Sequence, residues 1–239
     1  MRQLSFGFPE FAFQANDIAT KYQQPERDPE DVFHAYLVKG AAFDGKWDVP
    51  IIPGSTAVPE FLIPFSETNR GRCSYIERPW VHFFEGDRRI ERLWNRPNTY
   101  LPLLKKYAGA ISPDFSLHKD MPLALQAYNT YRGKALGYWL TANEIPVIPN
   151  IRWGDKNSYE FCFSGVLPGS IVAIGSHGTL KKKNEKFLFL NGFDEMLKRL
   201  KPGKVLVYGR TPDDIRRRCE EIGAPVIQFN SWFHEIHRR

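Results

Sequence analysis

Acidic side chains follow two short apolar segments of this chain, where they can take part in acid–base or metal chemistry. Glu85 and Asp87 come directly after the segment 80–84, and Asp114 follows the segment 110–112 across one proline. Carboxylate oxygens suit Mg²⁺ and Mn²⁺, and a carboxylate can also accept a proton. These residues predict that Glu85, Asp87 and Asp114 bind a divalent cation, with Asp87 and Asp114 also acting as catalytic groups.

Basic side chains at other segment ends complete a set suited to phosphate chemistry. Arg152 and Arg210 carry planar guanidinium groups that match phosphate oxygens, and His177 is a candidate catalytic acid or hydrogen-bond donor. Together with a bound Mg²⁺ or Mn²⁺ ion, such groups predict metal-assisted hydrolysis of a phosphodiester. Three further residues are candidate contacts to the substrate or its phosphate, Asn150, Ser176 and Trp153. The ring of Trp153 can stack on a base or sugar.

Short apolar runs alternate with helix-period segments from about residue 80 onward. The alternation predicts an α/β fold in which parallel strands are joined by right-handed crossovers. The carboxyl ends of parallel strands meet at one edge of a sheet, so the candidate residues above are expected to gather there. The predicted strands are the runs 80–84, 110–112, 147–151, 171–174, 205–208 and 226–229.

The segments between the strands supply three predicted helices, at residues 121–143, 187–200 and 212–222. In the first of them, Asp120 is the candidate cap, and apolar residues recur every three or four positions. This spacing predicts a single buried apolar stripe formed by Ala124, Ala127, Tyr128, Tyr131, Ala135, Tyr138 and Trp139.

The chain divides by pattern into an irregular N-terminal arm at residues 1–75, which packs on the core, and a catalytic or binding β/α domain at residues 76–239. Two proline-bracketed apolar pieces in the arm, 49–53 and 61–65, have the character of edge or short strands. They can complete a closed, eight-stranded barrel or cap an open, doubly wound sheet. We favour the TIM-barrel-like or partly closed barrel.

Charge and composition place the protein among globular proteins with anionic partners. Its 239 residues have a net charge of +6, and residues 121–239 carry 18 basic and 11 acidic side chains. A basic half attracts phosphate-rich molecules, so a nucleic acid or a nucleotide is the expected partner. The chain has three cysteines and no run that approaches the roughly 18 apolar residues of a membrane span. We expect a reduced, cytoplasmic protein without a membrane partner.

The part of the chain from Trp80 onward resembles an uncharacterised domain-of-unknown-function family of phages, plasmids and integrated bacterial elements. The most specific pieces are Ser-Pro-Asp-Phe-Ser at 112–116 and Arg-Trp-Gly-Asp at 152–155. The likeness also includes residues 81–84, 120–123, 129–132, 135–137, 147–151, 175–178 and 207–209. One departure is Glu85-Gly86-Asp87, where two adjacent acids are expected. The resemblance implies a phage or mobile-element setting, with the host cell cytoplasm as its location, but no established reaction.

Three functions are compatible with these patterns. The first is a phage or mobile-element protein that acts on nucleic acid or a nucleotide, by metal-assisted phosphodiester hydrolysis. The second is a non-catalytic binder that sequesters a nucleotide or blocks a host protein. The third is a barrel hydrolase of a sugar or other small molecule, which needs two suitably spaced carboxylates.

Overall fold

Parallel strands alternate with helices in the computed structural model, which describes residues 31–69, 78–176, 183–232 and 234. This confirms the predicted α/β class. The strands are β1 Phe43–Asp44, β2 Val49–Pro50, β3 Leu62–Pro64, β4 Trp80–His82, β5 Gly109–Ile111, β6 Val147–Ile148, β7 Ile171–Gly175, β8 Lys204–Tyr208 and β9 Val226–Phe229. The helices are α1 Asp87–Asn95, α2 Pro97–Leu104, α3 Leu123–Ala142, α4 Lys183–Leu200 and α5 Asp213–Glu221. Short 3₁₀ helices occupy Ala35–Val38, Phe65–Glu67 and Lys156–Glu160.

Strands β3 to β9 run parallel and lie side by side in chain order. They form a four-stranded sheet, β3-β4-β5-β6, and a three-stranded sheet, β7-β8-β9. The two sheets meet at a parallel bridge between Asn150 and Ala173, where the Ile151 N–H donates to the Ala173 carbonyl at 2.8 Å. In a doubly wound sheet, the strand order reverses at a switch point. The order of β3 to β9 in this protein does not reverse. No ladder joins β9 to β3 within the described residues, so closure into a TIM-like barrel is not confirmed.

The two faces of the parallel strands bury different partners because side chains alternate along a strand. One face packs against the helices, as Val81 and Val207 do. Each helix contributes a residue to the cores on that face: Ile90, Leu104, Leu136, Phe193 and Ile215. The opposite face is filled by the strands' own side chains: Leu62, Trp80, Ile111, Ile148, Ala173, Leu206 and Tyr208. The loops after the strands therefore emerge at one edge, beside the ends of this inner layer.

The N-terminal part of the described chain contributes one strand to the parallel sheet. β3 lies before residue 75, yet it pairs with β4 from Leu62 opposite Trp80 to Pro64 opposite His82. It is an edge strand, as its flanking prolines predict. β2 instead pairs antiparallel with β1. The division of the chain at residues 75 and 76 stays a prediction.

Helix α3 corrects the predicted apolar stripe. Ala124 and Tyr128 are exposed, and the helix begins at Leu123 after Pro122, with no side-chain cap from Asp120. Its buried residues include a polar row spaced by three or four positions: Gln126, Asn129, Thr130, Gly133, Lys134 and Gly137. This row is buried because it packs against loops after β5 and β6 that offer hydrogen-bond partners, as the site shows below.

Two glycines allow α3 to approach these loops closely. A Cβ atom on Gly133 would lie 2.9 Å from the carbonyl oxygen of Pro113, and one on Gly137 would lie 2.9 Å from the Cβ of Ser112. Both contacts are shorter than van der Waals packing allows, so only glycine fits without a shift. Of the helices in the described ranges, none is long and apolar enough to cross a membrane.

We expect Gly133→Ala to lower the free energy of unfolding. In a helix interior, alanine normally raises this free energy by about 0.5–1 kcal/mol relative to glycine. The new methyl group must displace the Pro113 backbone, and overpacking of this kind costs about 1–3 kcal/mol. Urea denaturation of parent and variant measures the difference. A variant more stable than the parent would show that α3 does not need this close approach.

Candidate functional site

The Asp114 carboxylate is the centre of a hydrogen-bonded cluster at the carboxyl edge of the sheet. Its side chain is 7% exposed. Asn150 Nδ2 donates to Asp114 Oδ1 at 2.7 Å, and Arg152 Nη1 donates to Asp114 Oδ2 at 2.9 Å. Asp114 follows β5, whereas Asn150 and Arg152 follow the neighbouring strand β6. The pairing of these two parallel strands thus brings together three of the predicted residues.

Burial raises the pKa of the Asp114 carboxyl above its ordinary value, because desolvation penalises the charged form. The Arg152 charge and the hydrogen bonds from Asn150 and Arg152 oppose this effect, while the negative charge of Asp87 adds to it. The net result is a pKa of the Asp114 carboxyl above that of an exposed aspartate.

Asp87 is connected to this cluster through the loop after β5. It is the first residue of α1, and its Oδ1 accepts hydrogen bonds from both the backbone N–H and the hydroxyl of Ser116, each at 3.0 Å. The Ser116 carbonyl in turn accepts from Asn129 Nδ2 of α3 at 2.8 Å. The loop that carries Asp114 is therefore held from two helices.

Glu85, the third predicted metal ligand, is engaged elsewhere. Its carboxylate is 5% exposed and accepts from the Ser66 N–H at 2.9 Å and from Arg89 Nη1 at 2.8 Å. In the ranges that the structure describes, no three His, Cys, Asp or Glu side chains form a group able to hold a metal ion. The structure thus connects Asp87 to Asp114 and does not bring Glu85 into a three-ligand cluster with them.

Lys134 is a member of this cluster that the sequence patterns did not single out. It projects from α3, is 3% exposed, and donates from Nζ to the Asn150 carbonyl at 2.7 Å. Burial lowers the pKa of its ammonium group to about 8, against the opposing influence of Cys162 and Asp114. The sequence does contain a signal for Lys134, namely the row of polar and glycine residues at helical spacing in α3.

A small polar cavity of about 20 Å³ lies between Lys134, Asn150 and Arg152. Asn150 Oδ1 and Arg152 Nε are both buried and have no hydrogen-bond partner within the described residues. A cavity of this size holds one water molecule, which needs two to four polar partners. Cys162 also lines the cavity, and burial raises the pKa of its thiol to about 12, so it packs as a neutral group.

On its other side, Arg152 lines a cleft of about 440 Å³ that begins beside Asp114. The side chain of Arg152 is 28% exposed, so the guanidinium group is held by Asp114 and still reaches this space. Other charged or titratable residues also line the cleft: His118, Lys119, Asp120 and Glu185. The cleft joins the ends of β5, β6 and β7 to the first turns of α4.

The remaining predicted residues have different positions. Trp153 lines the cleft but is 9% exposed and packs against Phe189 at a centroid distance of 5.2 Å. Ser176 is buried, and its hydroxyl donates to the Arg210 carbonyl at 2.6 Å, which ties the end of β7 to the loop after β8. The Arg210 side chain is exposed and does not line the cleft. His177 lies outside the described residues.

Another buried titratable group lies on the inner face of the sheet. The His82 ring packs against the tilted ring of Tyr208 at a centroid distance of 4.2 Å, and its Nδ1 accepts from the Phe84 N–H at 3.2 Å. Burial lowers the pKa of His82 to about 3, so its imidazole is neutral at ordinary pH. Its Nε2 has no partner within the described residues. It packs the inner layer and takes no part in the Asp114 cluster.

The comparison with protein families gives a match that includes the strand ends at residues 112–116 and 150–155. Residues 41–230 match the domain of unknown function DUF4417, and the chain belongs to this family. The predicted resemblance is confirmed.

Relatives of the chain come from two mycobacteriophages. It is 32% identical to the Gene 1 protein of Mycobacterium phage D29 over 193 residues, which are 81% of this chain and 70% of that protein. It is 31% identical to the Gene 1 protein of Mycobacterium phage L5 over 193 residues, 81% of this chain and 82% of that protein. No solved structure matches the chain.

The buried ammonium group of Lys134 predicts a particular pH dependence of stability. Between pH 8 and 10.5 the unfolded chain keeps the Lys134 proton that the folded protein has released. The free energy of unfolding of the parent should therefore rise with pH across this window, relative to that of Lys134→Met.

Denaturation curves of the two proteins across the window measure this difference. Lys106→Met is the matched control, since Lys106 is exposed, and its curve should run parallel to that of the parent. Parallel curves for the parent and Lys134→Met would contradict the lowered pKa.

Proposed function

We propose that this protein binds the phosphate of a nucleic acid or a nucleotide at the carboxyl edge of its sheet and hydrolyses a phosphodiester bond there. The observation that supports this most strongly is the position of Arg152, which is held by Asp114 and lines the cleft. A guanidinium group has five N–H donors, and one nitrogen bonds Asp114. The exposed part of the guanidinium group is suited to bind a phosphate oxygen.

Asp114 is the proposed proton acceptor in the hydrolysis. A water molecule gives up a proton to the carboxylate as its oxygen forms a new bond to phosphorus. The bond from phosphorus to the leaving ester oxygen breaks, and that oxygen takes a proton from an acid, for which His177 remains the candidate. Burial supports this assignment, because a raised carboxyl pKa makes a stronger base than an exposed aspartate.

A divalent cation is the proposed cofactor, and Mg²⁺ or Mn²⁺ suits the donor chemistry. Mg²⁺ commonly binds through one or two carboxylates together with substrate phosphates, so a three-ligand protein cluster is not required. The Asp87 carboxylate, whose negative charge acts on Asp114, would hold it, and Asp114 would remain the proton acceptor. When bound, such an ion neutralises phosphate charge and activates water.

We also infer that the sheet curls into a partly closed barrel. The inner cluster joins side chains from every strand between β3 and β8. Trp232, which follows β9, packs against the core that contains Ile63 of β3 and Val81 of β4, and its backbone N–H donates to Tyr208 Oη of β8 at 2.9 Å. Ile227 and Phe229 of β9 also pack against the inner cluster that contains Leu62 of β3, which supports closure by side chains.

The relatives support a phage or mobile-element role, with the host cell cytoplasm as the proposed place of action. The alternative is a non-catalytic binder that sequesters a nucleotide or blocks a host protein. One observation favours it: both carboxylate oxygens of Asp114 already accept hydrogen bonds from Asn150 and Arg152. An engaged carboxylate can fix Arg152 for binding without taking a proton.

The test is incubation of the protein with end-labelled DNA and RNA, single- and double-stranded, with magnesium, manganese or chelator. We expect metal-dependent cleavage that Asp114→Asn reduces by at least roughly a hundredfold, because the amide is a poor proton acceptor. Arg152→Ala should weaken binding. Arg217→Ala is the matched control, because Arg217 is 66% exposed on α5 and should leave both unchanged.

Cleavage at the parent rate by Asp114→Asn would overturn the hydrolytic role. Salt-sensitive binding without cleavage, lost in Arg152→Ala, would establish the binder instead. Binding that is unchanged in Arg152→Ala would overturn both the hydrolytic role and the role as a binder.

A further inference from the structure

The cleft beside Arg152 is lined by charged residues and by an apolar wall. The wall is formed by Leu117 from the loop after β5, Trp153 from the loop after β6, and Leu188 and Phe189 from α4. Arg152 and Asp114 are among the charged residues of the lining, with Lys119, Asp120 and Glu185. A ligand that fills this space can place an anionic group at Arg152 and an apolar surface against the wall.

The wall is rigid before any ligand binds. Trp153 packs against both Phe163 and Phe189. Its indole ring also lies so close to Gly192 of α4 that the helix has no room there for a Cβ atom. Since Trp153 and Phe189 are already buried and fixed, binding does not have to order them, which favours affinity.

The size and charge of the cleft suit a small ligand and disfavour a polyanion. A volume of about 440 Å³ falls within the range of roughly 300–1,000 Å³ found for small-molecule sites. Among the described residues, the lining carries the carboxylates of Asp114, Asp120 and Glu185 against the basic side chains of Lys119 and Arg152. A double helix needs many basic contacts along its phosphates, and the described part of the lining offers these two.

We propose that the cleft binds one nucleotide unit, with its phosphate at Arg152 and its base against the apolar wall. The unit is a planar aromatic base joined to a phosphate, as found in a free nucleotide or in one nucleotide of a single strand. The inference rests on the proposed function, because it places the phosphate on the same arginine. It goes further by naming the substrate class and excluding a duplex at this cleft.

Titration calorimetry on the full chain tests this with ligands that separate base from phosphate. The probes are inorganic phosphate, ribose 5-phosphate, nucleoside 5′-monophosphates, a short single-stranded oligonucleotide and the matching duplex. We expect a monophosphate to bind roughly tenfold to a hundredfold more tightly than ribose 5-phosphate, the usual gain from base stacking. A nucleotide that binds more tightly than the oligonucleotide identifies a free nucleotide as the ligand, and the reverse order identifies a single strand.

Two leucines on α4 provide matched variants. Leu188 lines the cleft, whereas Leu190 packs against the core, and both are half-buried. Leu188→Ala should reduce the preference for the monophosphate over ribose 5-phosphate at least several-fold. Leu190→Ala should leave this preference unchanged. The comparison of ligands on the parent protein stands even if a variant folds poorly.

The outcomes separate this inference from the function on which it rests. Equal affinity for ribose 5-phosphate and the monophosphate, with binding lost in Arg152→Ala, would overturn the base-binding wall and keep the phosphate site. Duplex bound more tightly than every smaller probe would also overturn the inference. If Arg152→Ala bound every probe as tightly as the parent does, both the inference and the proposed function would be wrong.

Discussion

The burial of the Asp114 carboxylate is the constraint on which the rest of this site depends. An ion removed from water costs several kcal/mol unless charges and hydrogen bonds compensate it. Asn150 and Arg152 each donate to one of its oxygens. Lys134 supports the same strand end from below, through the Asn150 carbonyl, and contributes a buried positive charge. These contacts hold the strand ends of β5 and β6 and helix α3 in one arrangement.

In this arrangement, Arg152 bonds Asp114 and also lines the cleft. Its bond to Asp114 fixes the direction of the guanidinium group, and its exposed fraction reaches the space beneath α4. A donor held in place by a buried partner loses little freedom when a ligand arrives, so the cost of binding is small. The same bond links ligand binding to the protonation of Asp114, since a neutral carboxyl would hold Arg152 less strongly.

Much of this was predictable, and the failures have physical reasons. Alternating apolar runs and helical segments predicted the α/β class, and the rule for parallel strand ends predicted that Asp114, Asn150 and Arg152 would meet. The buried face of α3 was predicted only in part: Ala135 and Trp139 are buried, but amphipathicity read from apolar residues missed Gly133 and Lys134, which mark the side that packs on polar loops. The engagement of Glu85 by Ser66 could not be predicted from local patterns, because Ser66 follows another strand. Closure of the barrel depends on pairing between β3 and β9, which no local pattern encodes.

A crystal structure with a nucleoside 5′-monophosphate tests the central claim most directly. The account predicts a phosphate oxygen within hydrogen-bond distance of the Arg152 guanidinium group while Nη1 keeps its bond to Asp114. It also predicts the base against Leu188 and Phe189. A phosphate bound elsewhere, at Arg210 for example, with the cleft beside Arg152 unchanged, would contradict it.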